Sequence, residues 1–151
     1  MAVSPIRLQA SHVEDLRQYE VATELGAVVI EHHRLCQVHV LVARADAKSK
    51  TLPDEVDMAR QTLYLRGRWR KAGADGWHDF TWRTDVAWGE TLPMPEPLDT
   101  AWGGVEVTVQ RSLATLFDGI DPSIDSELNA ARRVLENVVS DAKVKTKRHL
   151  H

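Results

Sequence analysis

Gln61-Thr-Leu-Tyr-Leu-Arg-Gly-Arg-Trp-Arg-Lys71, the cluster Ala72-Gly-Ala-Asp-Gly76, and Trp77-His-Asp-Phe-Thr-Trp-Arg-Thr-Asp-Val-Ala-Trp88 together read as a β-hairpin. Two aromatic-rich alternating runs flank a short turn cluster, which is the local signature of that unit. A four-residue loop at 72–75 sets Lys71 opposite Gly76 and fixes the register of the whole hairpin. One face then carries Leu63, Leu65 and Trp69 against Thr84, Trp82 and His78, with Phe80 opposite Gly67. The other face sets Arg68 opposite Asp79, Tyr64 opposite Arg83 and Arg70 beside Trp77. Apolar sets share one face and opposite charges meet on the other, which is what a stable cross-strand register requires.

Outward from the hairpin, Cys36, Val38, Val40 and Val42 alternate with polar neighbours and predict a strand over 36–45. The polar connection 45–55 reads as a loop. Residues 12–35 carry two periodicities. Val13, Leu16, Tyr19, Ala22, Leu25 and Val29 fit a helix face, while Tyr19, Val21 and Thr23 alternate and Val28-Val29-Ile30 is β-branched. Both readings stay open. Ile6, Leu8 and Ala10 suit a short N-terminal strand. Downstream, Pro93, Pro95 and Pro97 forbid a helix and favour an extended crossing segment. Val105, Val107 and Val109 predict a strand, with helix as the alternative, followed by a short helix from Arg111 to Phe117.

Asp121-Pro122 supplies a cap and a first-turn proline for a long C-terminal helix. Its apolar seam runs Ile124, Leu128, Ala131, Leu135, Val138 and Ala142, widened by Val134 and Val139. This seam packs on the sheet, or forms a dimer contact in the alternative reading. Residues 143–151 read as a frayed basic tail. The fold class expected is α+β: one domain over 1–151, with a four- to five-stranded antiparallel sheet and a long C-terminal helix on one face.

Composition narrows the functional classes. The chain has 151 residues, 43% of them apolar, a net charge of −3 and one cysteine. A lone cysteine makes no internal disulfide and points to a reducing compartment, and the first residues do not read as a signal peptide, so a cytoplasmic setting is expected. No apolar run reaches the roughly 18–20 residues of a membrane span. Charge is segregated. Arg60, Arg66, Arg68, Arg70 and Lys71 cluster without an acid among residues 60–71, whereas residues 89–127 hold eight acids against Arg111 alone. An acidic domain lacks the usual nucleic-acid footprint, which disfavours that partner.

Motifs for chemistry are absent: no nucleophile elbow, phosphate loop, dinucleotide fingerprint or zinc-protease helix occurs. His32, His33, Cys36 and His39 are zinc-compatible residue types, but strand geometry points Cys36 and His39 to opposite faces, so no metal or other cofactor is expected. Cys36 is expected to be a buried inert thiol and His39 to be half-buried. Four of the five tryptophans fall between Trp69 and Trp88. Each alone reads first as core. Together on one face, Trp69, Trp82 and Trp88 with Phe80 exceed what one helix covers, so they and Leu65 and Tyr64 are the candidate binding residues.

The opening stretch Ile6-Arg-Leu-Gln-Ala-Ser-His-Val13-Glu-Asp15-Leu16-Arg-Gln-Tyr19-Glu20 resembles the opening strand region of SecB-like export chaperones, and the strand–turn–strand unit around Ala74-Asp75-Gly76, ending in Asp79-Phe80, is similar to that family's central hairpin. The resemblance implies antiparallel sheets backed by helices, tetrameric assembly, and apolar grooves that hold unfolded polypeptide. It also implies a strand over residues 11–24, and it assigns no binding residue. The proline-rich segment at 90–99 and the strand-like 104–110 depart from that family's pattern. The expected function is therefore a non-enzymatic, homo-oligomeric binding protein for an apolar polypeptide or protein partner. Two alternatives accompany it. One is a small-molecule or catalytic domain with a cupped sheet, cystatin-like or helix-grip, using His78 or Asp85. The other is a structural subunit of a phage or secretion assembly.

Overall fold

The computed structural model describes Leu8 and residues 10–30, 34–99 and 103–149. The hairpin is present in the register expected. Strands β2 (Leu63–Trp69) and β3 (His78–Thr84) pair antiparallel from Leu63 with Thr84 to Trp69 with His78. Gly73 adopts a positive φ of 79° in the connecting turn, a conformation that glycine reaches without steric cost.

Strand β1 (Arg34–Val42) pairs antiparallel with β4 (Trp88–Asp99), and β5 (Val105–Gln110) with β6 (Lys143–Arg148). Six described strands thus form three two-stranded ladders rather than one four- to five-stranded sheet. The α+β class, the antiparallel pairing and the C-terminal helix stand as expected. The proline-rich segment is accommodated because β4 has β1 on one side only, and a strand edge does not need the amide that proline lacks. Leu92 and Met94 alternate inward while Pro93 and Pro95 face out.

Several expectations are corrected. The β1–β4 register jumps from Leu35 opposite Leu98 to Gln37 opposite Pro93, so Met94 to Pro97 bulge against Cys36 alone. That irregularity reverses the alternation at its start: Leu35 turns inward and Cys36 is exposed instead of buried, while His39, on the face opposite Val38 and Val40, is exposed rather than half-buried. Residues 11–24 are neither helix nor strand beyond one bridge at His12 and a 3₁₀ turn over Leu16–Gln18, so the strand that the SecB-like resemblance implies there is not formed. The N-terminal strand expectation falls partly on Ile6, outside the described residues, while Leu8 and Ala10 are not in a strand. The short helix expected from Arg111 to Phe117 is a series of turns. The basic tail is not frayed over 143–148: Val144 and Thr146 alternate with lysines, so this segment completes a ladder with β5.

Helix α1 (Glu127–Ser140) starts later than expected. Ser126, not Asp121, is its N-cap, with the hydroxyl accepting from the Asn129 amide at 3.2 Å. Asp121 instead accepts from the Ser123 amide at 2.9 Å and hydroxyl at 2.5 Å in a separate turn. Ala130, Ala131, Val134, Leu135, Val138 and Val139 form the buried stripe, wider than a heptad seam because α1 spans both β2–β3 and the neighbouring β4. Ile124 precedes the helix and is 80% exposed.

The core has two clusters. One joins α1 to Leu63, Trp82 and Leu116; the other joins Leu92, Met94 and Leu98 to Val144, and Val40 packs against both. Asn137 pins the 113–120 turns to α1 by donating to the carbonyls of Leu116 (3.0 Å) and Asp118 (2.9 Å).

Candidate functional site

The inward face of the hairpin carries the aromatics expected to bind a partner, and α1 covers most of it. Trp82 is only 7% exposed. Its ring meets Phe80 at a centroid distance of 4.3 Å and Phe117 edge-on at 6.3 Å. Leu65, Phe80 and Trp88 are half-buried against the α1 cluster. Trp88 reaches that cluster from β4 rather than from the hairpin, and its indole Nε1 donates to Glu90 at 3.2 Å. Trp69 is half-buried and stacked on His78 at 4.7 Å. Tyr64 lies on the opposite face. Of the six candidate residues, the fold brings five to one core-facing side, and the turns at 113–120 add the cover that one helix alone does not provide.

The outward face is different in kind. It carries Tyr64, Arg66, Arg68 and Arg70 on one strand run and Trp77, Asp79, Thr81 and Arg83 on the other. Trp77 is 55% exposed. The guanidinium of Arg70 lies 4.7 Å from its ring centroid and that of Arg68 5.8 Å, while Arg83 sits 5.8 Å over Tyr64. Arg68 faces Asp79 in register, yet the pair expected from the sequence does not close, because Arg68 turns over Trp77 instead. Among the described residues none of Arg66, Arg68, Arg70 and Arg83 joins an ion pair. Four guanidinium groups against the single carboxylate of Asp79, with Arg68, Arg70 and Arg83 set over aromatic rings, make this face electropositive. The sequence displayed these residues by simple alternation. Of these, Tyr64 is among the residues the sequence nominates, whereas the arginines and Trp77 carry less apolar area than the inward aromatics.

Comparison with protein-family models, with curated proteins and with solved structures returns no match. Site chemistry therefore rests on geometry alone. No group of three or more metal-ligating side chains occurs among the described residues, and His32 and His33 of the expected cluster lie outside them. Between the hairpin and the helix, α1 side chains pack directly on Leu63 and Trp82. A shallow polar depression of about 320 Å³ lies elsewhere, between Gly119 and the helix side chains Asn129, Arg132, Arg133 and Glu136. No helix among the described residues is long and apolar enough to cross a membrane.

A second exposed feature precedes β1. Tyr19, Val21, Leu25, Val28 and Val29 are exposed, Val29 to 87%. Residues 22–30 make no backbone–backbone hydrogen bond among the described residues, and the carbonyl of Leu25 accepts only from His12 Nε2 at 3.1 Å.

Proposed function

We propose that this chain is a non-enzymatic binding protein that engages a polypeptide partner on the outward face of the β2–β3 hairpin, through Tyr64, Arg66, Arg68, Arg70, Trp77 and Arg83. The observation that carries this reading is the half-exposed Trp77 flanked by Arg68 and Arg70, neither of which is ion-paired. Exposed tryptophan and arginine are the residues most enriched where binding energy concentrates. A chaperone of the SecB type is the narrower form of the same reading. Its apolar contacts then fall on exposed residues such as Trp77 and the 19–29 stretch and not on Trp82, which lies under α1.

The test is selection of a displayed random-peptide library on the wild-type protein and on the combined variant Arg66→Ser, Arg68→Ser, Arg70→Ser, Arg83→Ser. Circular dichroism checks that the variant keeps its fold. Sequences enriched on the wild type and lost on the variant support the reading. Equal enrichment on both proteins, or none on either, overturns it.

A second reading, a homo-oligomeric structural subunit, is favoured by the exposed apolar stretch 19–29, since segments such as its residues 22–29, which make no backbone–backbone hydrogen bond among the described residues, pair with the strand edge of a neighbouring copy. Light scattering across a concentration series reads it directly. A mass that stays at one chain at the highest concentration removes it.

A further inference from the structure

Resting on the reading of the hairpin's outward face as the contact surface, we infer that its occupant is an extended polypeptide segment bearing carboxylates at alternate positions. Arg66, Arg68 and Arg70 occupy alternate positions of one strand run and so project to one side. Alternate residues of a strand are separated by about 6.6–6.8 Å, and an extended partner presents its own alternate side chains at the same step. Carboxylates at positions i, i+2 and i+4 of that partner therefore fall in step with the backbone positions of Arg66, Arg68 and Arg70, within reach of their long side chains.

The choice of arginine supports the match. A guanidinium presents a planar fork that a carboxylate meets with two parallel hydrogen bonds, which an ammonium group does not. Arg68 and Arg70 are already positioned over Trp77, and Arg83 over Tyr64. Ordering them on binding consequently costs less side-chain entropy than ordering free arginines. The paired ladder runs from Leu63–Thr84 to Trp69–His78, and a seven-residue strand is roughly 20 Å long, enough for a segment of about six residues.

Nucleic acid has the same sign of charge but fits less well. Asp79 lies on the same face, with exposed Asp75 in the turn and Asp85 beyond the other end of β3. A continuous phosphate chain crossing the ribbon meets all three and extends over a protein of net charge −3. A short peptide senses mainly the charges within the screening length of about 8 Å. It also brings backbone N–H donors for Asp79, whereas a phosphodiester backbone has none.

The deciding experiment is fluorescence anisotropy with labelled peptides of about nine residues at about 0.15 M salt, the regime in which only close charge pairs persist. One peptide alternates glutamate with threonine. A second has the same composition with its glutamates in one block. A third probe is a single-stranded oligothymidine. The alternating peptide is expected to bind at least about tenfold more tightly than the block peptide, and to lose about tenfold in Arg68→Ser or Arg70→Ser. Arg66→Ser, which disturbs no ring contact, is expected to weaken it as well and keeps the test valid if the other two variants misfold. Equal binding of both peptides overturns the inference, as does the absence of peptide binding or tighter, arginine-dependent binding of the oligothymidine. Arginine-dependent binding of a different probe leaves the hairpin face standing as the contact surface. Peptide binding indifferent to all three substitutions overturns that face as well.

Discussion

The Phe80 ring crowds Gly67, its cross-strand partner on β2. A Cβ built on Gly67 would come 2.9 Å from Phe80 Cζ and 3.0 Å from Cε1. The ring takes the space that a side chain at residue 67 would fill and shields the bare backbone of β2, while its other side meets Trp82. Gly67→Ala removes the entropic penalty of glycine in a strand, which alone favours the variant by roughly 0.5–1 kcal/mol. Displacing a packed ring costs about 1–3 kcal/mol and wins. The variant should unfold at lower urea concentration with an unchanged slope. Combining it with Phe80→Leu should cost less than the two single changes added together, because the smaller side chain relieves the overlap. Strict additivity would show that the two residues do not press on one another.

What was legible in the sequence divides along the same line, between local and non-local causes. The hairpin register followed from the turn cluster at 72–76 and from alternation on both arms, all within 28 residues of chain. Trp82 alone reads first as core; that the aromatic face as a whole is covered was not legible, because its cover includes Phe117 and the turns before α1, far along the chain. Cys36 was misplaced for a similar reason: the bulge that exposes it is made by Met94 to Pro97 on the partner strand. β6 was hidden by its lysines, since Val144 and Thr146 acquire a buried side only once β5 is placed opposite them. The outward face was visible as Tyr64, Arg66, Arg68 and Arg70 in alternation.

The apolar stripe of α1 makes a graded prediction. Leu135 is 1% exposed and Leu128 48%, although both lie on the seam read from the sequence. Leu135→Ala leaves a cavity between the helix and the hairpin and should cost about 2–5 kcal/mol. Leu128→Ala changes a side chain that is largely in water and should cost no more than about 1 kcal/mol. Equal losses in chemical denaturation would mean that the heptad seam, through a second copy of the chain, buries Leu128 as well.

The thiol of Cys36 gives a check on the β1–β4 bulge that needs no mutation. In an unbroken ladder Cys36 shares the inward face of Val38 and Val40 and reacts only on unfolding. With the bulge it is exposed. Ellman's reagent should therefore titrate one thiol in the native protein, at a rate close to that in denaturant. A native rate slower by about two orders of magnitude would place Cys36 in the core and remove the bulge.

At the other end of the chain, Asp15 caps the 3₁₀ turn by accepting from the Arg17 amide at 3.0 Å, and its carboxylate grips the Arg17 guanidinium at 2.6–3.1 Å. The side-chain bonds from Arg17 are the largest cause, and the amide bond the next, that hold the carboxyl at about 2 rather than its ordinary 3.8. A depressed folded-state value means that the unfolded chain binds the proton first. The interaction is therefore fully present above pH 3.8 and is lost as the pH falls through about 2. The group is fully exposed, so salt screens it, and the measurement should follow the site itself rather than global stability. A carboxyl ¹³C titration should give a midpoint near 2 in the wild type. Arg17→Ala should raise that midpoint but leave it below 3.8, because the backbone amide at residue 17 still donates. A wild-type midpoint at the ordinary value would mean that the turn at residues 15–18 is not closed in solution.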